Sequence, residues 1–353
     1  MRLTKKSLFG LLFLLLVLIF AALSYRWTFT PHGRLDYRAA LSLHLLTFER
    51  TIQPDPEVDF ALPIPVNLIY AISFALPAEE VARTEELVIP ADGAELPARA
   101  YWPQDANGRE GPPPVILFYH GGGFVVGSVD IFDALTRAIA NATGAIVVSA
   151  GYRLAPAHPY PAAVNDAYAA LVWVAANAER LGGDPARLLV AGESAGANLA
   201  TVAALRARDE NGPAIAAELL YYPPTDLTDT PYPSREKFTE DYGFSVRSGM
   251  AMFKAYVGHV ENLRDPWISP LHAASLADMP PTLMVTAGFD PLVDSAGAYA
   301  ARLEESGVPV TRAHFPTTIH GFMNIRPFPQ RREALDRTAA FVRDLFTAGD
   351  VGR

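Results

Sequence analysis

The hydrophobic pattern over residues 115–346 alternates between two kinds of segment. Short runs in which nearly every residue is apolar end at Gly, Pro or Asp, and the longer stretches between them carry apolar residues at helical spacing. Short runs rich in Val, Ile and Leu are typical of parallel strands buried on both faces. The pattern predicts strands at 115–119, 145–149, 188–191, 219–222, 283–287 and 310–315, and helices at 163–180, 195–208, 296–305 and 331–346.

This strand–helix alternation predicts an α/β fold. Its core would be a mostly parallel central sheet covered by helices. In such sheets ligands bind beyond the carboxyl ends of the strands. The loops that follow the predicted strands are therefore the expected positions of functional residues.

Three other regions do not follow this strand–helix alternation. Residues 34–49 carry apolar positions at roughly helical spacing and precede a proline-containing stretch at 54–77, so we interpret 27–80 as an N-terminal cap region. Residues 85–103 read as a hairpin around Asp92-Gly93. The aromatic-rich segment at about 225–270 is interpreted as an insertion that packs over the active site. The catalytic domain would then span 81–347.

The first 26 residues resemble an export signal or a membrane anchor. Arg2, Lys5 and Lys6 precede an uncharged apolar run at 8–23, which is 16 residues long. A buried core helix fits poorly, since the run has no polar face. The length is close to the limits of both a signal peptide and a spanning helix, and Ala22-Leu23-Ser24 offers a cleavage site. We favour the anchor with the catalytic domain outside the cytoplasm; the alternative is a soluble protein exported after cleavage.

Composition excludes several classes of protein. There is no cysteine, so disulfides, thiol catalysis and cysteine-based metal sites are ruled out. The net charge is -9 and no basic run follows the first few residues, which argues against a nucleic-acid partner. The eight histidines form no metal-binding pair of the His-Glu-x-x-His type. We expect neither a cofactor nor a metal, and homo-oligomerisation is left open.

The predicted strand at 188–191 runs into Gly-Glu-Ser-Ala-Gly at 192–196, and a predicted helix follows. A serine flanked by glycines between a strand and a helix is typical of a nucleophile on a sharp turn. The glycines avoid clashes in that turn, and the helix N-terminus points its amides toward developing negative charge. Ordinary turns also contain Ser and Gly, but this context makes Ser194 the predicted nucleophile.

The predicted strand at 115–119 ends in His-Gly-Gly-Gly-Phe at 120–124. A flexible loop or a phosphate cradle would be alternatives, but neither phosphate-loop nor dinucleotide-binding signature is present. Consecutive glycines let backbone N–H groups approach a ligand closely, as an oxyanion hole requires. We predict an oxyanion hole beginning at Gly121 and Gly122, with His120 shaping the loop through hydrogen bonds.

The catalytic base should follow the nucleophile, since this kind of fold orders its residues Ser, acid, His. His259 and His272 precede the acid candidates and lie in or near the insertion, while His314 lies inside a predicted strand. His320 follows that strand in a loop, where catalytic residues are common. We predict His320 as the base and His314 as a structural residue.

Two aspartates follow the predicted strand at 283–287. Asp290 lies nearer the strand end and can reach the imidazole from the loop. Asp294 is an alternative, although it could equally cap the next helix. We predict Asp290 as the acid.

Together these residues resemble the hormone-sensitive-lipase-like esterases, also called bacterial family IV, of the α/β-hydrolase superfamily. The resemblance covers about residue 85 to the C-terminus. Its motifs stand in family order at 120–123, at 152–156 with 158–162, at 192–196, at 290–292 and at 320–322. It implies oxyanion-hole amides at Gly121, Gly122 and Ala195, and a cap built from the N-terminal helices and the insertion after Tyr222.

The chain departs from the family pattern at three positions. Glu193 stands where Asp is usual, Ala197 where a second Gly is common, and Ala157 where Glu is common before His-Pro. None of the three removes a predicted catalytic group. They weaken any assignment to a particular subfamily.

The expected activity is hydrolysis of acyl esters by acyl transfer. Ser194 would attack the carbonyl, His320 would take its proton, and Asp290 would orient the imidazole. The resemblance and the aromatic insertion favour short- to medium-chain esters. An amide deacetylase and a catalytically inactive binding protein of the same fold are the alternatives.

Overall fold

The structure is a computed structural model that describes residues 5–44, 48–52, 62–66, 76–104, 111–239, 242–244 and 246–347. The strands are β1 (Phe29–Thr30), β2 (Gly33–Arg34), β3 (Phe48–Ile52), β4 (Leu62–Val66), β5 (Arg83–Ala91), β6 (Ala94–Trp102), β7 (Pro114–Tyr119), β8 (Ile146–Ala150), β9 (Asp184–Glu193), β10 (Ala217–Tyr221), β11 (Thr282–Phe289) and β12 (Val310–Ile319). The α-helices are α1 (Lys5–Arg26), α2 (Tyr37–His44), α3 (Asp133–Thr143), α4 (Ala162–Asn177), α5 (Ala195–Asp209), α6 (Pro233–Lys237), α7 (Val246–Val257), α8 (Val293–Glu305) and α9 (Pro329–Thr347), with short 3-10 turns at Pro270–His272 and Phe322–Asn324.

Eight strands form one central sheet in the order β12-β11-β10-β9-β7-β8-β6-β5. From β12 to β8 all neighbours are parallel, and β6 joins β8 and β5 by antiparallel pairing. The carboxyl ends of β7, β9, β10, β11 and β12 therefore meet at one edge of the sheet. The predicted mostly parallel sheet is confirmed.

The parallel strands β7, β8 and β10 are buried on both faces, which explains their continuous apolar sequences, whereas the edge strand β12 alternates between buried and exposed residues. Along β7, Val115, Leu117 and Tyr119 pack into the hydrophobic layer on one face of the sheet, while Ile116 and Phe118 pack into the layer on the other. All five side chains are fully buried. Burial on both faces places helices above and below the sheet, as the strand–helix alternation predicts.

All six predicted strands and all four predicted helices are present. The main differences lie at their ends: β9 begins at Asp184 and continues to Glu193, and β12 continues to Ile319. The predicted hairpin is formed by β5 and β6, and Gly93 in its turn has a φ of 69°. Helix α3 was not predicted, although Gly144 ends it in the left-handed conformation that commonly terminates helices.

Only part of the segment with roughly helical spacing at 34–49 is a helix. Arg34 lies in β2, the helix covers only Tyr37–His44, and Glu49 lies in β3, which pairs with β4. The β1–β2 hairpin, in which Gly33 of β2 has a φ of 128°, precedes the helix. The proline-containing stretch at 54–77 lies mostly outside the described residues.

The predicted cap region and cap insertion pack on each other. His32, in the β1–β2 turn, contacts the ring of Phe238 at 5.6 Å between centroids. From the other side, the Tyr256 ring in α7 stacks on Phe124 at 4.0 Å, in the loop after β7. The insertion thus joins the N-terminal elements to the carboxyl edge of the sheet.

Helix α1 stands apart from the hydrophobic core. The large apolar side chains along it, among them Phe9, Phe13, Leu16 and Leu23, are exposed. Its C-terminal end contacts the rest of the chain through the buried Ser24, whose hydroxyl lies 2.9 Å from the hydroxyl of Tyr37 in α2. The segment from Phe9 to Arg26 is long and apolar enough to cross a membrane.

Candidate active site

Ser194 occupies a sharp turn between β9 and α5. Its φ of 52° and ψ of -121° lie outside the regions that non-glycine residues ordinarily adopt. A Cβ atom on Gly192 would overlap the backbone of Gly196, and one on Gly196 would overlap the carbonyl oxygen of Tyr119. Both glycines are therefore required by space, and the strained turn lifts the serine side chain away from the sheet.

Ser194, His320 and Asp290 form one hydrogen-bonded chain. The Ser194 Oγ lies 3.0 Å from Nε2 of His320, and Nδ1 of His320 lies 2.8 Å from Oδ2 of Asp290. Because an ionised carboxylate only accepts hydrogen bonds, Nδ1 carries the proton and Nε2 is left to accept from the serine hydroxyl. This is the arrangement of a nucleophile, a general base and an orienting acid.

The three residues are nearly inaccessible to solvent. Ser194 is 8% exposed, His320 is 6% exposed and Asp290 is fully buried. The second oxygen of Asp290, Oδ1, accepts the backbone N–H of Leu292 at 2.8 Å, which holds the carboxylate in the loop after β11. The acid therefore has a fixed orientation toward the imidazole.

The pKa of His320 is raised above its usual value. Burial lowers this pKa, but the charge of Asp290, its hydrogen bond and the charge of Glu193 together outweigh burial. The negative charge of these two carboxyl groups therefore favours the imidazolium form. A base that becomes an imidazolium during proton transfer is stabilised at that step.

The loop after β7, residues 121–123, lies beside the serine and is shaped by close contacts. Gly122 has a φ of 112°, and a Cβ atom there would overlap the carbonyl oxygen of Val126. The Gly122 carbonyl accepts the N–H groups of Val125 and Val126 at 3.1 and 3.0 Å. We call residues 121–123 the oxyanion loop; its tight turn and lack of side chains suit a row of donor amides.

His120 supports this loop, as the sequence predicts. Its Nδ1 lies 2.8 Å from the carbonyl oxygen of Gly121, and its ring stacks between Tyr152 at 4.3 Å and Phe132 at 5.6 Å. Burial lowers the pKa of His120 to about 4. His120 is therefore neutral near pH 7, with Nδ1–H donating to Gly121.

Ala195 is the first residue of α5 and follows Ser194 directly. The first amides of a helix have no acceptor within the helix, and they lie at the positive end of its dipole. The Ser194 carbonyl accepts the N–H groups of Ala197 and Asn198, so the helix starts immediately at the turn. The Ala195 amide thus lies where an oxyanion-hole donor is expected.

An apolar cavity adjoins the histidine. Phe244, from the cap insertion, stacks on the His320 ring at 4.5 Å between centroids. Phe244 also lines a small pocket of about 20 Å³ together with Leu227, Met250, Phe253 and Leu292, and Thr228 and Arg235 add polar groups to its wall. This volume leaves room for little more than one water-sized group between the side chains.

The other candidate residues have different partners. His314 lies in β12 and bonds Thr286 at 2.9 Å, and burial lowers its pKa. Asp294 accepts the backbone N–H of Ser234 at 2.8 Å and lies in the first turn of α8. Nε2 of His259 lies 2.9 Å from the carbonyl oxygen of Tyr160, and Nε2 of His272 lies 3.3 Å from a carboxylate oxygen of Asp226.

Sequence reasoning missed three side chains around the site. The Tyr222 ring lies 4.8 Å from the His320 ring, the Phe244 ring stacks on His320, and Asn324 donates to Glu193. They come from separate loops and share no motif. Glu193 was noted only as a departure from the family pattern.

Three comparisons bear on the family. A sequence model of the α/β hydrolase fold matches residues 116–324. The esterase LipI of Mycobacterium tuberculosis is 40% identical over 263 residues, which cover 74% of this chain and 82% of LipI. The arylesterase of Saccharolobus solfataricus is 34% identical over 275 residues, which cover 77% of this chain and 87% of that protein.

Solved structures of esterases have the same fold. The esterase of Pyrobaculum calidifontis superimposes with a TM-score of 0.72 at 39% identity, covering 79% of this chain and 90% of that one. EstE1, a thermostable carboxylesterase cloned from a metagenomic library, gives a TM-score of 0.73 at 37% identity and covers 78% of this chain and 95% of its own. The matched region contains every motif at the carboxyl edge of the sheet. The chain therefore belongs to the α/β-hydrolase superfamily, among its hormone-sensitive-lipase-like esterases.

Proposed function

We propose that this protein is a serine carboxylesterase in which Ser194, His320 and Asp290 form the catalytic triad. The observation that carries the proposal is the hydrogen-bonded chain from the Ser194 hydroxyl through His320 to Asp290, with the serine on its strained turn. The esterase and arylesterase names of its relatives support the same reaction class.

The cycle has two acyl-transfer steps. Ser194 Oγ attacks the ester carbonyl while its proton passes to Nε2 of His320, and the imidazolium then protonates the departing alcohol. Water attacks the acyl-serine in the second step, gives its proton to His320, and releases the acid as the serine regains its proton. Asp290 holds the imidazole and stabilises its charged form throughout.

Backbone amides would stabilise the oxyanion in both steps. We assign this role to the amides of Gly121, Gly122 and Ala195. The support is the side-chain-free loop on one side of Ser194 and the start of α5 on the other. One such donor typically contributes about 2.7 to 4 kcal/mol to transition-state stabilisation.

Short- to medium-chain acyl esters are the proposed substrates. The pocket that Phe244 and Phe253 line next to the His320 ring is mostly apolar and small, with a volume of about 20 Å³. Such a lining accepts an acyl chain but offers little room for a long one. No cofactor takes part in this mechanism.

The catalytic domain is proposed to lie outside the cytoplasm, held to the membrane by α1. Its apolar segment from Phe9 to Arg26 has 18 residues, which at about 1.5 Å per residue gives roughly 27 Å, slightly less than the roughly 30 Å of a bilayer core. The candidate cleavage site around Ser24 is helical and Ser24 is buried against α2, which supports an uncleaved anchor. Cleavage and export as a soluble enzyme is the alternative.

Labelling with a fluorophosphonate probe tests the function directly. The full-length protein should be labelled at Ser194 and lose ester hydrolysis in proportion. Ser194→Ala should not be labelled and should lose at least about 10⁴-fold in kcat. The matched control is Ser149→Ala, which removes another buried hydroxyl in β8 and should keep both labelling and turnover. Folded wild-type protein that resists labelling would overturn the proposal.

A further inference from the structure

Glu193 is a buried carboxylic acid beside the nucleophile that the acyl-transfer cycle does not use. It is the last residue of β9 and is only 3% exposed. Burying a carboxyl group is costly unless hydrogen bonds or positive charge compensate. The partners of Glu193 therefore indicate what its side chain contributes.

The first partner is the oxyanion loop. A Cβ atom on Gly121 would overlap Oε2 of Glu193, so the carboxyl group lies directly against the backbone of that loop. The Glu193 carbonyl oxygen would lie 2.9 Å from the same Cβ atom. Side chain and backbone of Glu193 together leave Gly121 no room to shift toward β9.

The second partner is the loop that carries the base, residues 320–324, which we call the histidine loop. Nδ2 of Asn324 donates to Oε1 of Glu193 at 3.3 Å. The Tyr222 hydroxyl also bonds the Glu193 side chain, accepts the Met323 N–H at 3.3 Å, and belongs to a ring that packs 4.8 Å from His320. One carboxyl group thus contacts both loops that flank Ser194.

Several titratable groups face Glu193. His320 and Tyr222 lower its pKa and Asp290 raises it, but burial dominates and raises the pKa to about 7. In return, Glu193 raises the pKa of His320 and of Tyr152. When His320 becomes an imidazolium, its positive charge is stabilised by the carboxyl groups of both Asp290 and Glu193.

We propose that Glu193 is a positioning residue that holds the oxyanion loop and the histidine loop on either side of Ser194 and whose negative charge stabilises the imidazolium form of His320. The inference rests on the proposed acyl-transfer function. It assigns two roles to the Glu193 side chain. Its shape and hydrogen bonds hold the two loops, which Gln would preserve, and its negative charge stabilises the imidazolium, which Gln would not.

Two variants of the full-length protein separate these tasks. Glu193→Gln has nearly the same shape and keeps an oxygen acceptor for Asn324, but carries no charge. Glu193→Asp keeps the charge on a side chain one methylene shorter. For both, kcat and KM for a short-chain ester are measured from about pH 5 to pH 9, with circular dichroism to establish folding.

For Glu193→Gln we expect kcat to fall about tenfold while KM stays within about twofold, because the imidazolium forms only after the substrate is bound. The acid limb of kcat/KM should move to lower pH, since the variant lacks the negative charge that Glu193 carries above its pKa of about 7, and that charge raises the pKa of His320. Because Glu193→Asp retains the negative charge, its acid limb should stay close to the wild-type position. This holds even if the shorter side chain reduces kcat.

Two results would overturn the inference. A Gln variant with wild-type kcat and an unmoved acid limb would mean that Glu193 has neither role. A Gln variant with reduced kcat but an unmoved limb would reduce Glu193 to a packing residue. Fluorophosphonate labelling of the wild type separates these results from failure of the proposed function: labelled wild type with an indifferent Gln variant rejects the role of Glu193 alone.

Discussion

Ser194 and His320 are 126 positions apart in the chain, yet Ser194 Oγ lies 3.0 Å from Nε2 of His320. The sheet explains this proximity. Ser194 follows β9, Asp290 follows β11 and His320 follows β12, and these strands end at the same edge. The parallel arrangement thus assembles a site from residues that the sequence keeps far apart.

The raised pKa of His320 predicts the position of the acid limb in the pH–rate profile. His320 must be neutral to accept the serine proton, so kcat/KM should rise with pH through the pKa of His320 in the free enzyme. The midpoint is expected above the ordinary value of 6.5, because Asp290 and Glu193 outweigh the effect of burial. A profile of kcat/KM measured with a short-chain ester locates this midpoint.

Asp290→Asn should move that limb to lower pH and reduce kcat by about 10⁴-fold, since the imidazole loses both its stabilising charge and its preferred tautomer. His314→Asn is the matched control, because His314 bonds Thr286 and not the triad. Its acid limb should stay in place. An unmoved limb in Asp290→Asn would assign the acid role to another residue.

Gly196, in the turn that carries Ser194, is predicted not to tolerate substitution by alanine. A Cβ atom on Gly196 would overlap the carbonyl oxygen of Tyr119 and crowd that of His120, and neither backbone group can move without disturbing β7. Gly196→Ala should lower the free energy of unfolding by about 1 to 3 kcal/mol or more and reduce turnover. Urea denaturation and ester hydrolysis measure the two effects.

Gly297→Ala is the control for that substitution. Gly297 lies in α8 without a positive φ, and a Cβ atom there would meet nothing within 4 Å. Alanine should therefore raise the free energy of unfolding by roughly 0.5 to 1 kcal/mol, because it restricts the unfolded chain and favours the helix. Equal effects of the two substitutions would contradict the steric argument.

The apolar cavity beside His320 predicts the acyl-chain preference. Four-carbon esters should be hydrolysed faster than sixteen-carbon esters. Phe253→Ala removes a cavity-lining ring and should raise the sixteen- to four-carbon rate ratio at least a few-fold. Leu335→Ala, in α9, deletes a buried apolar side chain that does not line this cavity and should leave the ratio unchanged. A wild-type preference for sixteen carbons would reject the cavity as the acyl site.

The strands and the clustering of Ser194, Asp290 and His320 were predictable because each has a local signal. A strand buried on both faces must be apolar throughout, and a nucleophile turn needs glycines where side chains would clash. His320 was distinguished from His314 by its place after a strand. In the structure His320 follows β12 directly, because β12 ends at Ile319 and not at residue 315 as predicted. The position of His320 at a strand end is therefore clearer in the structure than in the predicted pattern.

The surroundings of the triad lack such signals. Tyr222 follows β10, Phe244 comes from the insertion, and Asn324 lies beyond the histidine loop's glycine, so only packing brings them to His320 and Glu193. The N-terminal cap region was equally hard to predict. The apolar residues at 34–49 have helical spacing, but the segment forms a short helix and then the strand β3. Pairing of β3 with β4 overrides the local helical pattern there.

Helix α1 is predicted to remain on the mature protein as a membrane anchor. Its exposed apolar side chains need a nonpolar environment, and its last turn is tied to α2 through Ser24 and Tyr37. The native protein should stay in the membrane fraction after carbonate washing, and N-terminal sequencing should find Met1 or Arg2. Leu16→Arg places a charge near the middle of the helix at a cost of about 2.5 to 3.5 kcal/mol and should release protein from the membrane. Leu16→Ile should be retained like the wild type. A mature chain beginning at Tyr25 would instead identify α1 as a cleaved signal and the enzyme as a soluble exported protein.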